Sequence, residues 1–288
     1  MAQRTRISPL KRLVYKVLSK KPLVYIKKSK KFRKFIASII NPFLHMYIKG
    51  KGIPPQLRLL RNVPWRTLII LDACRYDVFR EVFTKKFSRA FSETDYSLTP
   101  AESPATWTIP WLAEVFGHGD WSDTMYITAN PTYTRLGNFN PFEVFGEVVE
   151  VWRDYWSEEL GTVHPSYVEQ AFHEVFNKLN QGIKRYVVHF LQPHYPYLTR
   201  TFGYRPEESQ VFWRNVRDGL IPLDQVIAAY TENLEIALCY AVKIAMSAPK
   251  PVVLTSDHGE LFGEFFLFTH NKWIRAPPLV IVPFLLIK

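Results

Sequence analysis

The sequence predicts an α/β fold: a mostly parallel central sheet with helices on both faces, preceded by a basic helical N-terminal arm. Three observations carry this expectation. Short, continuous apolar runs recur along the chain and suit strands buried on both faces. Longer stretches with helical periodicity lie between them. A chain of 288 residues, 47% hydrophobic and 15% aromatic, is large enough to bury one sizeable core and is neither disordered nor fibrous.

The elements follow in order. Residues 1–71 hold 18 Lys and Arg and no acidic residue, leaving 19 basic against 26 acidic residues in the remainder, so two differently charged segments share one chain. Basic clusters such as "KRLVYKVLSKK" and "IKKSKKFRKF" alternate with apolar residues at amphipathic-helix spacing, which defines an arm over 1–62 and a catalytic-type domain over 63–288. For residues 1–50 the expected partner is an anionic membrane surface; nucleic acid is the weaker candidate, and a solvated or partner-docking arm the bland one. "FIASIINPFLHMYI" (35–48) is too short for a membrane span and contains Pro42. It also lies too far from Met1, with no clear cleavage site, to be an ordinary signal peptide.

The domain opens with a strand at Thr67 to Leu71 that ends on Asp72 and passes into a helix. Further strands are expected at "TMYITANP" (124–131), "RYVVHFLQPH" (185–194), "PVVLTSDHG" and "PLVIVPFLLI" (278–287), with helices at 165–181 and 222–248. Only Cys74 and Cys239 are present, far apart, so no disulfide framework or paired-cysteine zinc site is available. This points to a reducing compartment, and the expected setting is cytoplasmic, peripheral at the inner membrane face.

Three strands end on side chains able to hold a metal: Asp72 after "LIIL", His194 after "HFLQP", and Asp257 with His258 after "VVLTS", with His270 following in "LFTHNKW". In a parallel sheet such ends share one edge, where ligands bind. Each residue alone is more simply structural, since a strand-terminal Asp often caps the next helix. Their joint placement favours a divalent ion. Mixed carboxylate and imidazole donors suit Zn or Mn, one or two per chain, with Ca or Mg less well matched. Gly259 next to them lets the backbone turn away without crowding the site.

"TSDHGELFGE", followed by a His and "RAPPLVIV" (275–282), resembles the C-terminal metal motif of sulfatases and related members of the alkaline phosphatase superfamily. "LIILDACRYD" is similar to their first strand and "FLQPHYPY" to their substrate-side histidine segment, so the resemblance covers residues 66–284; uncharacterised archaeal sulfatase-like proteins with LDACRYD and QPHYP segments are more similar still. The resemblance implies a nucleophile at the start of a helix. In "SPATWTIPWLAEVFG" (103–117), Thr108-Ile109-Pro110 occupies the Cys-x-Pro frame of formylglycine sulfatases, and with no cysteine there formylglycine cannot form. Threonine nucleophiles belong to the superfamily's phosphoethanolamine transferases and lipoteichoic acid synthases. The resemblance therefore implies a metal site of Asp72, Thr108, Asp257 and His258, with His194 and His270 at the phosphoryl group or a second ion, one of them serving as general acid.

The expected activity is hydrolysis or transfer at a phosphate ester through a phospho-threonine intermediate; sulfate-ester hydrolysis by the same site and a non-catalytic binding protein are the alternatives. Thr106 is the second candidate nucleophile. Arg75, Asn130 and Lys272 are candidate substrate-binding residues, each with a structural alternative: a solvated charge for Arg75 and for Lys272, and a turn before Pro131 for Asn130. Asp77 either reaches a second metal or forms a helix-surface salt bridge to Arg75 or Arg80. Where sulfatases carry a second Asp directly after the first, this chain has Ala73 and Cys74, which argues against their calcium site.

Overall fold

A computed structural model describes residues 30–136, 139–178, 182–200, 202–270 and 272–288. Residues 1–29 of the expected arm lie outside the described residues. Helix α1 spans Lys30–Gly50 and α2 Gln56–Asn62. The domain continues through β1 (Thr67–Asp72), α3 (Tyr76–Val82), β2 (Tyr96–Glu102), α4 (Thr108–Phe116), β3 (Trp121–Thr128), β4 (Phe145–Glu150) and α5 (Pro165–Asn177). It ends with β5 (Arg185–Pro193), α6 (Ser209–Arg217), α7 (Leu223–Ser247), β6 (Val252–Ser256) and β7 (Ile281–Ile287).

The seven strands form one sheet in the order β2-β7-β6-β1-β5-β3-β4. From β6 to β4 every neighbouring pair is parallel, and β7 runs antiparallel to both β6 and β2. The apolar runs form central strands because both faces are covered. Ile69 and Leu71 of β1 enter one core with Ile127, Val188 and Leu254, under α5 and α7. Leu68 and Ile70 enter the opposite core with Tyr126, Val187 and Val253, where α2 and α4 pack. A strand buried on both faces cannot alternate polar with apolar residues, which is why these segments read as continuous hydrophobic stretches.

The predicted strand at 278–287 starts later, at Ile281, because Pro277 and Pro278 open a helical turn over Pro277–Val280. Its Pro283 lies opposite Pro100 of β2 in the ladder.

Residues assigned by sequence to a separate arm are packed on this domain. The Gln56 side chain, fully buried, donates to Thr255 Oγ1 at 2.7 Å and to the Ser256 carbonyl at 2.8 Å, and accepts from Trp111 Nε1 at 2.8 Å. Three hydrogen bonds satisfy the buried amide and join α2 to β6 and α4. Ala37, Leu44 and Ile48 of α1 are likewise buried. Ile48 sits in a small core with Leu261, Ala276, Leu279 and Val280.

Candidate metal centre

β1 and β6 are adjacent and parallel, in register from Thr67 opposite Val252 to Leu71 opposite Ser256, so Asp72 and Asp257 leave the sheet side by side. The turn after β1 places Ala73 at φ 59°, a left-handed conformation that costs a residue with a Cβ about 1–2 kcal/mol. Hydrogen bonds on both sides of it hold the turn. Ala73 N donates to Asp257 Oδ1 at 3.2 Å, Cys74 N to Ser256 Oγ at 2.8 Å, Arg75 N to Tyr230 Oη at 2.9 Å, and Tyr230 Oη to the Ala73 carbonyl at 2.7 Å. Cys74 is thereby a buried packing residue.

At the end of β6, His258 Nδ1 lies 2.8 Å from the Gly259 carbonyl, which can only accept. Nδ1 therefore carries a hydrogen, and Nε2 is the nitrogen turned to the site. That nitrogen faces Asp72 Oδ1 and Asp257 Oδ2, each at 3.4 Å. All three atoms are buried and lack a hydrogen-bond partner. Three buried acceptors facing one another are unfavourable unless a cation or proton lies between them. The donor set, two carboxylates and one imidazole, fits a divalent ion such as Zn or Mn.

Asp72 and Asp257 are held from behind. Asn130 Nδ2 donates to Asp72 Oδ2 at 2.7 Å, and its own Oδ1 accepts from Thr132 N at 2.9 Å. The expected substrate contact of Asn130 is corrected accordingly: the side chain is buried and orients a ligand. Asp257 Oδ1 accepts from His258 N at 2.8 Å. Burial, then the nearby charges of Asp257 and Glu260, push the Asp72 carboxyl well above its ordinary range, against hydrogen bonds from Asn130 and Thr108. Thr108, the first residue of α4, is buried near enough to Asp72 for its side chain to favour the ionised carboxyl.

A second group adjoins the first. Ligand atoms of His194, Glu260 and His270 lie within 4.8 Å of one another. The His270 ring is centred 4.9 Å from His258 and 5.3 Å from His194. His194 is fixed by its backbone N–H on the Asp72 carbonyl at 3.2 Å and by Nδ1 on the Tyr195 carbonyl. Burial, then the neighbouring His258, lowers His194 to about 4, and His270 is held well below its ordinary value by burial, His258, His194 and Lys272. Both shifts favour the neutral imidazoles, which offer lone-pair and N–H contacts.

Sequence reasoning missed two members of the centre. His189, in the middle of β5, is fully buried, hydrogen-bonds Tyr126 Oη through Nδ1 at 2.7 Å, and turns an unpartnered Nε2 toward the centre. Its ligand atom groups with those of Asp72 and Asp257 within 4.8 Å. The signal was available: a titratable residue among "RYVVHFL" has no water-exposed face to turn to. Glu260 was quoted within "DHGE" without being singled out. It is buried with Oε1 unpartnered, and burial raises its carboxyl from an ordinary 4.5 to about 8, Asp257 and Glu264 adding to the shift.

Arg75 does not present a free fork for a substrate anion. Nε and Nη2 grip Asp77 at 3.0 and 2.6 Å, while Nη1 meets Glu264 at 2.6 Å and the Glu260 carbonyl at 3.3 Å. The guanidinium is not the solvated charge expected as the alternative to substrate binding: it is buried and braces the segment after the DHGE motif. Lys272 Nζ lies 3.9 Å over the ring of Trp107, the residue before Thr108.

Two expected outcomes arise here. A Cβ added at Gly259 would stand 2.0 Å from the Pro278 carbonyl oxygen, a backbone atom that cannot swing aside. Gly259→Ala should lower stability in urea unfolding by roughly 2–4 kcal/mol; an unchanged midpoint and slope would mean that segment 276–279 yields instead. The second concerns pH. Glu260 and Asp72 both have raised carboxyl pKa values in the metal-free fold, so their stabilisation is complete below their unfolded values and is lost as pH rises, for Glu260 from 4.5 through about 8. Below about pH 6.5 the lowered His189, His194 and His270 act in the opposite sense, so metal-stripped protein should melt at progressively lower temperature from about pH 6.5 to 8, and added Zn should raise the melting temperature more at pH 8 than at about pH 6.5. A flat profile in scanning fluorimetry would contradict it.

No family model and no curated protein matches the sequence. Solved structures do. The soluble domain of lipooligosaccharide phosphoethanolamine transferase A from Neisseria meningitidis superposes with a TM-score of 0.53 at 13% identity, covering 77% of this chain and 75% of that one. The C-terminal periplasmic domain of EptC from Escherichia coli gives 0.54 at 15%, covering 78% and 72%. Its complex with Zn gives 0.52 at 16%, covering 78% and 73%. The chain thus shares the mixed α/β fold of these phosphoethanolamine transferase domains. The cytoplasmic setting expected from the cysteine count is corrected by these neighbours, since the EptC domain is periplasmic. Two unpaired cysteines are weak evidence of compartment, because a periplasmic fold with a large core needs no disulfide. Among the described residues, no helix is long and apolar enough to cross a membrane.

Proposed function

We propose that the protein is a metal-dependent enzyme that hydrolyses or transfers a phosphate ester through a covalent phospho-Thr108 intermediate. The observation that carries this reading is the convergence of three buried, unpartnered ligand atoms, Asp72 Oδ1, Asp257 Oδ2 and His258 Nε2, beside the hydroxyl of a threonine at a helix N-terminus. The resemblance of the motifs and the phosphoethanolamine transferase neighbours support the same chemistry. When bound, a divalent ion, Zn or Mn by its donor set, lowers the pKa of the threonine hydroxyl and offsets charge on the phosphoryl oxygens.

The residues of the chain do the rest. Asp72 lies beside the Thr108 side chain and helps to orient its oxygen for in-line attack on phosphorus. The ester P–O bond breaks as the Thr108 Oγ–P bond forms, the hydroxyl giving up one proton and the leaving alkoxide taking up one. Water or an acceptor hydroxyl then attacks phosphorus, the P–Oγ bond breaks and Thr108 regains its proton. The free N–H groups of the first turn of α4 lie at its N-terminus and favour an anion. The Nε2 lone pair of neutral His194, left open because Nδ1 faces a carbonyl, and the ring of His270 meet the phosphoryl group or a second ion. Lys272 adds positive charge near Trp107.

The test is elemental analysis of protein purified without chelator, with aryl phosphate and aryl sulfate esters assayed on the same sample. About one or two equivalents of Zn or Mn with phosphate turnover is the expected result. Sulfate turnover alone would replace the substrate class, and a well-folded protein that takes up no metal and turns over neither ester would end the enzymatic reading.

A further inference from the structure

Helix α1 has two apolar faces, and among the described residues only one is buried against the domain. Ala37, Leu44 and Ile48 lie on it. Around the helix from them, Ile39, Phe43 and Met46 follow at intervals of four and three residues, with Tyr47 four after Phe43, and each is 41–66% exposed. The helix and the residue after it carry Lys30, Lys31, Arg33, Lys34, Lys49 and Lys51, and no acidic side chain. Lys51 Nζ lies 5.7 Å over the Tyr47 ring, at the end of the stripe.

We infer that α1 is an interfacial helix that seats the domain on an anionic lipid bilayer, its exposed stripe among the acyl chains and its lysines at the headgroups. An apolar stripe of this size facing water calls for an occupant. Charge selects which one: a second copy of this chain would bring the same basic helix against itself, whereas anionic headgroups match it. Pro42 lies within the helix and the helix is too polar to span, so it lies in the surface plane.

The placement ties the membrane to the site. Asn41 Nδ2 donates to the Trp273 carbonyl at 2.9 Å and Asn41 Oδ1 accepts from Arg275 N at 2.9 Å, just beyond His270 and Lys272. His45 Nδ1 faces Glu102 Oε1 at 3.3 Å, at the end of the strand that leads to Thr108. Arg275 closes the set, donating to Glu102 Oε1 at 3.1 Å and to the carbonyls of Ser103 at 2.6 Å and Pro104 at 2.7 Å. A helix lying in the interface therefore holds the segments flanking the site within about one helix diameter, about 10 Å, of the headgroups.

The experiment uses the full chain and vesicles of phosphatidylglycerol mixed with phosphatidylcholine, with phosphatidylcholine alone as the neutral control. An environment-sensitive fluorophore is placed at Phe43→Cys in a background with Cys239→Ser, Cys74 being buried. The expected result is a blue shift with the mixed vesicles, quenching by brominated acyl chains, and binding weakened about 100-fold or more in Ile39→Ser/Phe43→Ser/Met46→Ser. Leu220→Ser, an equally apolar change at an exposed residue between α6 and α7, should leave binding unchanged. Pelleting without a shift at position 43 would mean that residues 1–29 bind by charge alone and would overturn the inference. So would a concentration-dependent shift without vesicles, the sign of a second copy on the stripe. Soluble aryl phosphate turnover, measured on the same variants without vesicles, separates the two failures: binding can fail with turnover intact, and turnover can fail with binding intact.

Discussion

Replacing Thr108 with alanine should reduce phosphate ester turnover by about 10³–10⁵-fold while leaving close to the parent metal content, because Asp72, Asp257 and His258 remain to hold the ion. The two readouts together identify a nucleophile, since a residue that only supports the ligands would lose metal in proportion to activity. Thr108→Ser keeps an oxygen in the same place on α4 and should recover part of the rate. Thr106 is also buried and two residues away, but Thr108 is the threonine whose side chain acts on the Asp72 carboxyl. Thr106→Ala is therefore expected to stay within about tenfold of the parent. Mass spectrometry after acid quenching of the reaction with an aryl phosphate should find a phosphoryl adduct on the peptide containing Thr108. An adduct on Thr106, or loss of rate on changing Thr106 with the rate of Thr108→Ala preserved, would move the nucleophile.

Legibility in the sequence followed burial. β1, β5 and β6 lie in the middle of the sheet, and two-sided burial wrote them as apolar runs. β2 and β4 escaped notice for the converse reason. They are the two edges of the sheet; β2 alternates half-buried with exposed residues and contains Pro100, and β4 carries Gly146, Glu147 and Glu150. An edge strand needs neither continuous hydrophobicity nor every backbone N–H, so its sequence resembles a loop. The candidate site divided in the same way. Asp72, Asp257 and His258 stand where a strand ends, a position that sequence marks by an abrupt change from apolar to acidic or imidazole side chains. His189 stands inside a strand, where one polar residue among apolar ones reads as core. Arg75 and Asn130 were visible as polar residues near the motifs, but their partners are set by tertiary contacts: Glu264 lies 189 positions from Arg75, and Asp72 lies 58 from Asn130.

Asp257→Asn separates the cost of the site from its benefit. The substitution keeps an oxygen able to accept from Ala73 N and His258 N, the two backbone hydrogen bonds that Oδ1 now takes, so the turns after β1 and β6 retain their geometry. What disappears is the negative charge, and with it a first-rank metal ligand; metal affinity should fall about a thousandfold or more, with phosphate ester turnover lost alongside. Without metal the balance reverses. The charge of Asp257 is, after burial itself, the largest influence raising the Asp72 carboxyl, and it acts on Glu260 in the same direction. Removing it relieves like-charge repulsion in a site buried from bulk solvent. Metal-stripped Asp257→Asn is accordingly expected to melt no lower than metal-stripped parent protein at pH 8, and higher if the amide finds a donor role toward His258 Nε2. Added Zn, which should stabilise the parent strongly, should leave the variant unchanged. A variant less stable than the parent in the stripped state would show that the carboxylate is held for the fold. The predicted order, with the parent weaker when empty and stronger when loaded, is what a cluster of buried carboxylates retained for an ion requires.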